Sequence, residues 1–127
     1  MTLYINTVSA DEMTIALRDG RRTVAQKIIA ARRQQGEKLV PAIAALLKSK
    51  KLKLSALREI IVANRGGSFT SLRIGVIASN ALAYALGIPV KAEVPAAGGR
   101  KKFGRHALVE PIYDRAPDIG KPKKFQL

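Results

Sequence analysis

Residues 59–75 read Glu59-Ile60-Ile61-Val62-Ala63-Asn64-Arg65-Gly66-Gly67-Ser68-Phe69-Thr70-Ser71-Leu72-Arg73-Ile74-Gly75. The run 59–63 has the apolar, β-branched character of a buried strand. Two glycines then mark a turn, and Ser68 supplies a hydroxyl to cap a helix. That helix is predicted from Phe69 to Leu86, where Gly87 and Pro89 form a stop signal. A strand, a glycine turn and a capped helix can together present backbone N–H groups to a phosphate. Gly66, Gly67 and Ser68 are therefore phosphate candidates. The same residues also suit a ligand-free turn, with glycine for its dihedrals and serine for its cap. No lysine follows at P-loop spacing, which excludes a Walker A site.

Upstream, residues 3–8 read as a strand. Met13, Ile15 and Leu17 alternate with Thr14, Ala16 and Arg18, the period of a half-buried strand. Asp19-Gly20 is a hairpin signal, and Arg22 to Ala30 is the predicted returning strand. Glu37 to Lys51 is predicted as a helix with Leu39, Val40, Ile43, Leu46 and Leu47 on one face. Its charges suit the helix dipole, with Glu37 early and Lys48, Lys50 and Lys51 late. Ser55 is read as the cap of a short turn, and Val90 to Val94 as another strand. The fold class is therefore α/β, a mixed sheet of about five strands with two main helices.

The pattern resembles the TsaB family, the non-catalytic subunit of the bacterial tRNA threonylcarbamoyladenosine machinery, of the actin-like ATPase superfamily. Residues 65–75 resemble the signature "GPGSFTGLRIG", and Ala83-Tyr84-Ala85-Leu86-Gly87-Ile88-Pro89 its continuation "A-x-A-L-G-I-P". Leu3 to Thr7 resembles the opening strand "ILAIDTS", Gln35 to Ile43 resembles "HSERLLPLI", and Leu52 to Leu57 resembles "LSLSDLD". These matches cover residues 3–94 in family order. Val109 to Asp118 resembles the family's last segment, "P-x-Y-x-R-x-P-D". Residues 1–94 are thus expected to form a single ribonuclease-H-like lobe. Residues 95–127 form a basic linker and a tail resembling the family's terminus, with most of the second lobe lacking.

Asn6 stands where the family has Asp, and Gln35 where it has His; Arg65, Gly66 and Ser71 also depart from the signature. The first two changes remove possible metal-side ligands. The resemblance implies a non-enzymatic scaffold that needs no cofactor. Its implied partners are the catalytic threonylcarbamoyl transferase subunit (TsaD-like) and the ATPase subunit (TsaE-like), with a homodimer as an alternative assembly. The helix 69–86 is apolar nearly all round, so the sheet covers one side and a partner is expected on the other; burial by the first helix and the tail is the competing reading. The candidate interface is Leu39, Ile43, Leu46, Leu72, Gly75, Ala78 and Ala81.

The chain has 127 residues, 23 Lys or Arg against 9 Asp or Glu, and a formal net charge of +14. That length is ordinary for one domain. The charge favours an anionic partner, RNA first, although basic residues also serve solubility. Arg100, Lys101, Lys102 and Arg105, with Phe103 among them, are candidates for tRNA contact; a solvated linker is the competing reading. The groups Arg18-Arg21-Arg22 and Lys48-Lys50-Lys51-Lys53 would add to an RNA surface only if they shared one face. The absence of cysteine and the single histidine, His106, leave little for metal or triad chemistry. No catalytic or metal residue is expected. No leader or membrane span is read, and the cytoplasm is the expected location. A basic RNA-binding module and a vestigial nucleotide-binding lobe of the same fold remain alternatives.

Overall fold

The structure is a computed structural model that describes residues 1–32, 34–67, 69–94, 102–103, 106–107 and 109. Five strands form one sheet in the order β3-β2-β1-β4-β5: β1 Thr2–Asn6, β2 Glu12–Asp19, β3 Arg22–Ala30, β4 Glu59–Val62 and β5 Val90–Ala92. Strands β1, β2 and β3 are antiparallel neighbours, whereas β4 runs parallel to both β1 and β5. Helix α1 spans Gln35–Ser49 and α2 spans Phe69–Leu86. Parallel β4 and β5 cannot be joined by a tight turn, so α2 makes the crossover between them. This is the mixed α/β sheet that the sequence predicts.

Alternation decides the core. Leu3, Ile5, Ile15, Leu17, Ile60 and Val62 are buried in one cluster with Leu39, Ile43, Leu46 and Leu47 of α1 and Val76 and Ala83 of α2. Tyr4, Ala16 and Ala63 make a smaller cluster of their own. The central strand β1 is thus buried at both Leu3 and Ile5 and at Tyr4 between them. The β2–β3 hairpin turns at Gly20, whose φ of 65° is left-handed, and a register shift at Leu17/Arg18 absorbs one extra residue of β3.

Several predicted boundaries move, each for a local reason. Helix α1 begins at Gln35 and ends at Ser49, rather than running from Glu37 to Lys51. Lys51 is left-handed, with φ 57°, and the bonds Lys51 N to Lys48 O (2.9 Å) and Leu52 N to Leu47 O (2.9 Å) close the helix. Helix α2 closes the same way on Gly87, φ 69°, with Gly87 N bonding Tyr84 O and Ile88 N bonding Ala83 O. Ser55 lies within a 3₁₀ turn, Leu54–Ala56. Strand β5 stops at Ala92 because the side-chain amide of Asn64 takes over, donating to Val94 O and accepting Val94 N–H, both at 3.0 Å. Val40, predicted on the buried face of α1, points outward at 58% exposure. In the tail, β6 Lys102–Phe103 and β7 His106–Ala107 pair with each other rather than with the main sheet. Val109 is buried in the main core, and the Asn80 amide holds its backbone N–H (3.0 Å) and C=O (2.9 Å).

Candidate functional site

The strand-to-helix turn is built against the end of β1. Gly66 and Gly67 have φ of 90° and 65°, and a Cβ on Gly67 would run into the carbonyl and side chain of Val8. The turn therefore requires glycine for packing as well as for its dihedrals. Thr7, fully buried, reaches into the first turns of α2: its Oγ1 donates to Ser71 O at 2.6 Å and accepts the Gly75 N–H at 3.1 Å. Gln35, also buried, donates from Nε2 to Ser9 O (3.0 Å), Ala10 O (2.9 Å) and Ser71 Oγ (3.1 Å). Its amide thereby ties the β1–β2 loop and the starts of α1 and α2 together. Ser68, the third phosphate candidate and expected cap, lies outside the described residues.

Asn6 is likewise engaged in internal bonds. Its Oδ1 accepts the Val8 N–H at 2.9 Å, and its Nδ2 donates to the Tyr4 hydroxyl at 3.1 Å. Tyr4 in turn donates to Glu93 Oε2 at 3.0 Å, with the Arg18 guanidinium 4.4 Å from its ring centroid. Burial pushes the Tyr4 phenol above its ordinary value, and Glu93 adds to this while the Asn6 hydrogen bond partly offsets it. The phenol is thus held neutral. At the other end of the sheet Lys91 Nζ lies 3.0 Å from Glu59 and holds that carboxyl below its usual range. Among the described residues no group of three His, Cys, Asp or Glu side chains could hold a metal ion. No helix among them is long and apolar enough to cross a membrane.

The expected interface residues divide sharply. Leu39, Ile43, Leu46 and Leu72 are buried in the lobe's own core, so they cannot meet a partner. Gly75 is also internal: a Cβ there would collide with the Thr7 hydroxyl, so its smallness serves the sheet and not a second helix. Ala78 is half-buried and Ala81 is exposed. The large apolar side chains beside them are Ile77 at 59% and Tyr84 at 68% exposure, and neither is in the interface set expected from the sequence. Their spacing of seven residues, with Ala81 between, was the available signal: two turns on one face of the helix. Of the tail candidates, Arg100, Lys101 and Arg105 lie outside the described residues, and only the backbone of Lys102 is described, within β6.

The class defined by this architecture is an α/β lobe of the actin-like, ribonuclease-H-like type. The family model for TsaD, tRNA N6-adenosine threonylcarbamoyltransferase, matches residues 25–93, more than half of the chain. The chain therefore belongs to this family, and its likeness is to TsaB. The tRNA threonylcarbamoyladenosine biosynthesis protein TsaB of Bacillus subtilis (strain 168) is 33% identical over 118 residues, covering 90% of this chain and 50% of the relative. YeaZ from Pseudomonas aeruginosa superposes with a TM-score of 0.67 at 28% identity, covering 76% of this chain and 44% of its own. A second structure from that organism, described as an uncharacterized protein with similarity to peptidase YEAZ, gives the same values. The chain thus spans half the length of the curated relative it matches.

Proposed function

We propose that the chain is a non-catalytic subunit in threonylcarbamoyl modification of the adenosine beside the tRNA anticodon, acting in the cytoplasm. In this reading it docks the catalytic threonylcarbamoyl transferase subunit through the outward face of α2, with the exposed side of α1 beside it. The observation that carries the reading is the apolar face of α2: Ile77 and Tyr84 are mostly exposed, and Ala81 lies between them. Large apolar side chains grouped on one helix face of a small lobe favour a partner. The bonding of Asn6 and Gln35 supports a scaffold role, because both side chains are used to fix loops. An ATPase subunit would join the same assembly, and a homodimer would use the same helices.

The test is co-purification of the chain with the catalytic subunit, followed by sedimentation. A stable complex that is lost in Ala81→Arg, with folding intact, supports the reading. A complex that survives Ala81→Arg and Ile77→Asp together would remove α2 as the docking element. Steady ATP turnover by the purified chain with magnesium would overturn the non-catalytic assignment.

A further inference from the structure

Helix α1 starts at the end of the sheet where Gln35 holds Ser9 and Ala10, and it runs away from that end. Its C-terminus therefore lies at the opposite end, where the following 3₁₀ turn and the residue before β4 are tied to the first residue of the chain: Met1 N donates to Ala56 O at 3.2 Å, and Arg58 N donates to Met1 O at 2.8 Å. The β2–β3 hairpin reaches that same end, because Thr2 pairs with Arg18 on one side and with Glu59 on the other. Two basic groups far apart in sequence thus share one end of the lobe. The hairpin brings exposed Arg21 and Arg22, the Arg18 guanidinium being engaged over the Tyr4 ring; the end of α1 brings exposed Lys48, Lys50, Lys51 and Lys53; exposed Arg58 follows. The described carboxylates at this end are Asp19 and Glu59, and Glu59 is already paired with Lys91. Asp11, Glu12, Glu37 and Glu93 belong to the opposite end, at the start of β2, the start of α1 and the end of β5.

We infer that this end of the lobe is a binding surface for the phosphodiester backbone of a folded RNA. This inference is independent of the docking face on α2. The helix dipole suits the lysines that end α1 but does not explain the arginines gathered with them. The dipole acts over one turn, whereas the arginines sit on a hairpin and beyond a 3₁₀ turn, and α2, which ends on the same side, has no basic residue in its last turn. Strands β3 to β4 are four neighbours wide, about 14 Å, so the cations lie within roughly one or two Debye lengths of each other at ~0.1 M salt and act on the same ligand. Lysine is depleted from protein–protein interfaces, which disfavours an acidic protein as the ligand. A membrane surface would need apolar side chains to insert, and among the described residues the exposed large aliphatic one at this end is Leu54. Arginine forks and lysine point charges together suit phosphate oxygens. Helix α1 also keeps a lysine, Lys51, in the left-handed position that α2 gives to glycine.

The experiment uses the full chain and fluorescein-labelled transfer RNA, with anisotropy titrations over a range of KCl concentrations. Two variants divide the surface: Arg21→Gln with Arg22→Gln, and Lys48→Gln with Lys50→Gln and Lys53→Gln. Each is expected to weaken binding about tenfold or more and to flatten the salt slope by roughly 0.7–0.9 for each phosphate that is no longer neutralised. A control pair at the other end, Arg32→Gln with Lys38→Gln, is expected to leave the slope unchanged. Circular dichroism checks that each variant is folded, all the sites being exposed. Equal effects from the control pair would reduce the finding to net charge and overturn the inference. So would unchanged slopes in either test variant, or binding to phosphatidylserine vesicles with none to RNA. None of these outcomes depends on the catalytic subunit, so the inference and the docking proposal fail separately.

Discussion

The Thr7 hydroxyl bridges one rung of helix α2, donating to Ser71 O at 2.6 Å and accepting the Gly75 N–H at 3.1 Å. This fixes the register between the central strand and the crossover helix, and it explains the glycine at position 75. Gly75→Ala places a methyl group on the hydroxyl. The expected loss is ~1–3 kcal/mol, the usual range for overpacking a filled core. Urea denaturation of Gly75→Ala, and of the double variant Thr7→Ser with Gly75→Ala, measures it. Because the hydroxyl itself is the obstacle, Thr7→Ser is expected to restore little.

Ala81→Arg is expected to leave the lobe folded and to abolish assembly, because an arginine in a dry interface carries an unpaired charge, unfavourable by several kcal/mol. Leu72→Arg, by contrast, is expected to unfold the protein, since Leu72 is buried in the core. Circular dichroism and sedimentation on the pair separate interface from core. Equal unfolding in both variants would place Ala81 in the core as well.

Stability is expected to fall on the alkaline side. The Tyr4 phenol ionises above its ordinary value of 10.0 in the folded state. From pH 10.0 upward the unfolded chain therefore binds fewer protons than the folded one, and stability falls until the folded-state value is passed. Tyr4→Phe is expected to remove that slope while losing the hydrogen bond to Glu93. Thermal melts from about pH 9 to about pH 11 test it, spanning the phenol's ordinary range. An identical decline in both proteins would assign the slope to other groups.

Lys51→Gly is expected to raise stability by about 0.5–1 kcal/mol, because glycine accepts the left-handed conformation that lysine holds at φ 57°. The same change removes one cation from the basic end and is expected to lower the salt slope of RNA binding. Gain of stability with loss of affinity is the expected signature. Loss of stability would mean that the lysine stem contributes packing.

Ser79 Oγ is fully buried and has no hydrogen-bond partner among the described residues. Ser79→Ala removes an unsatisfied hydroxyl and little packing, so it is expected to be neutral or to stabilise by ~1 kcal/mol. Clear destabilisation, measured in urea, would reveal an ordered water bonded to the hydroxyl.

What the sequence determined by itself is local. Alternation in Met13 to Leu17, the Asp19-Gly20 hairpin, the glycine turn before Phe69 and the stop at Gly87-Ile88-Pro89 each act within a few residues, and each appears in the structure. The family pattern was legible for the same reason, since it lies in short runs around these elements. The tertiary structure decided which apolar face the core takes. Leu39 and Val40 are adjacent aliphatic residues, yet one is 1% and the other 58% exposed. On a helix apolar nearly all round, periodicity does not show which side the sheet covers, so Leu72 and Gly75 were placed in the interface set and Ile77 and Tyr84 were left out of it. The roles of Asn6 and Gln35 also needed the fold, because their partners, Tyr4, Val8, Ser9, Ala10 and Ser71, meet them only once the strands pair and the helices dock. The gathering of Arg21 and Arg22 with Lys50 and Lys53 has the same origin. Charge is written in the sequence, but the direction in which each helix and strand runs sets the end at which it collects.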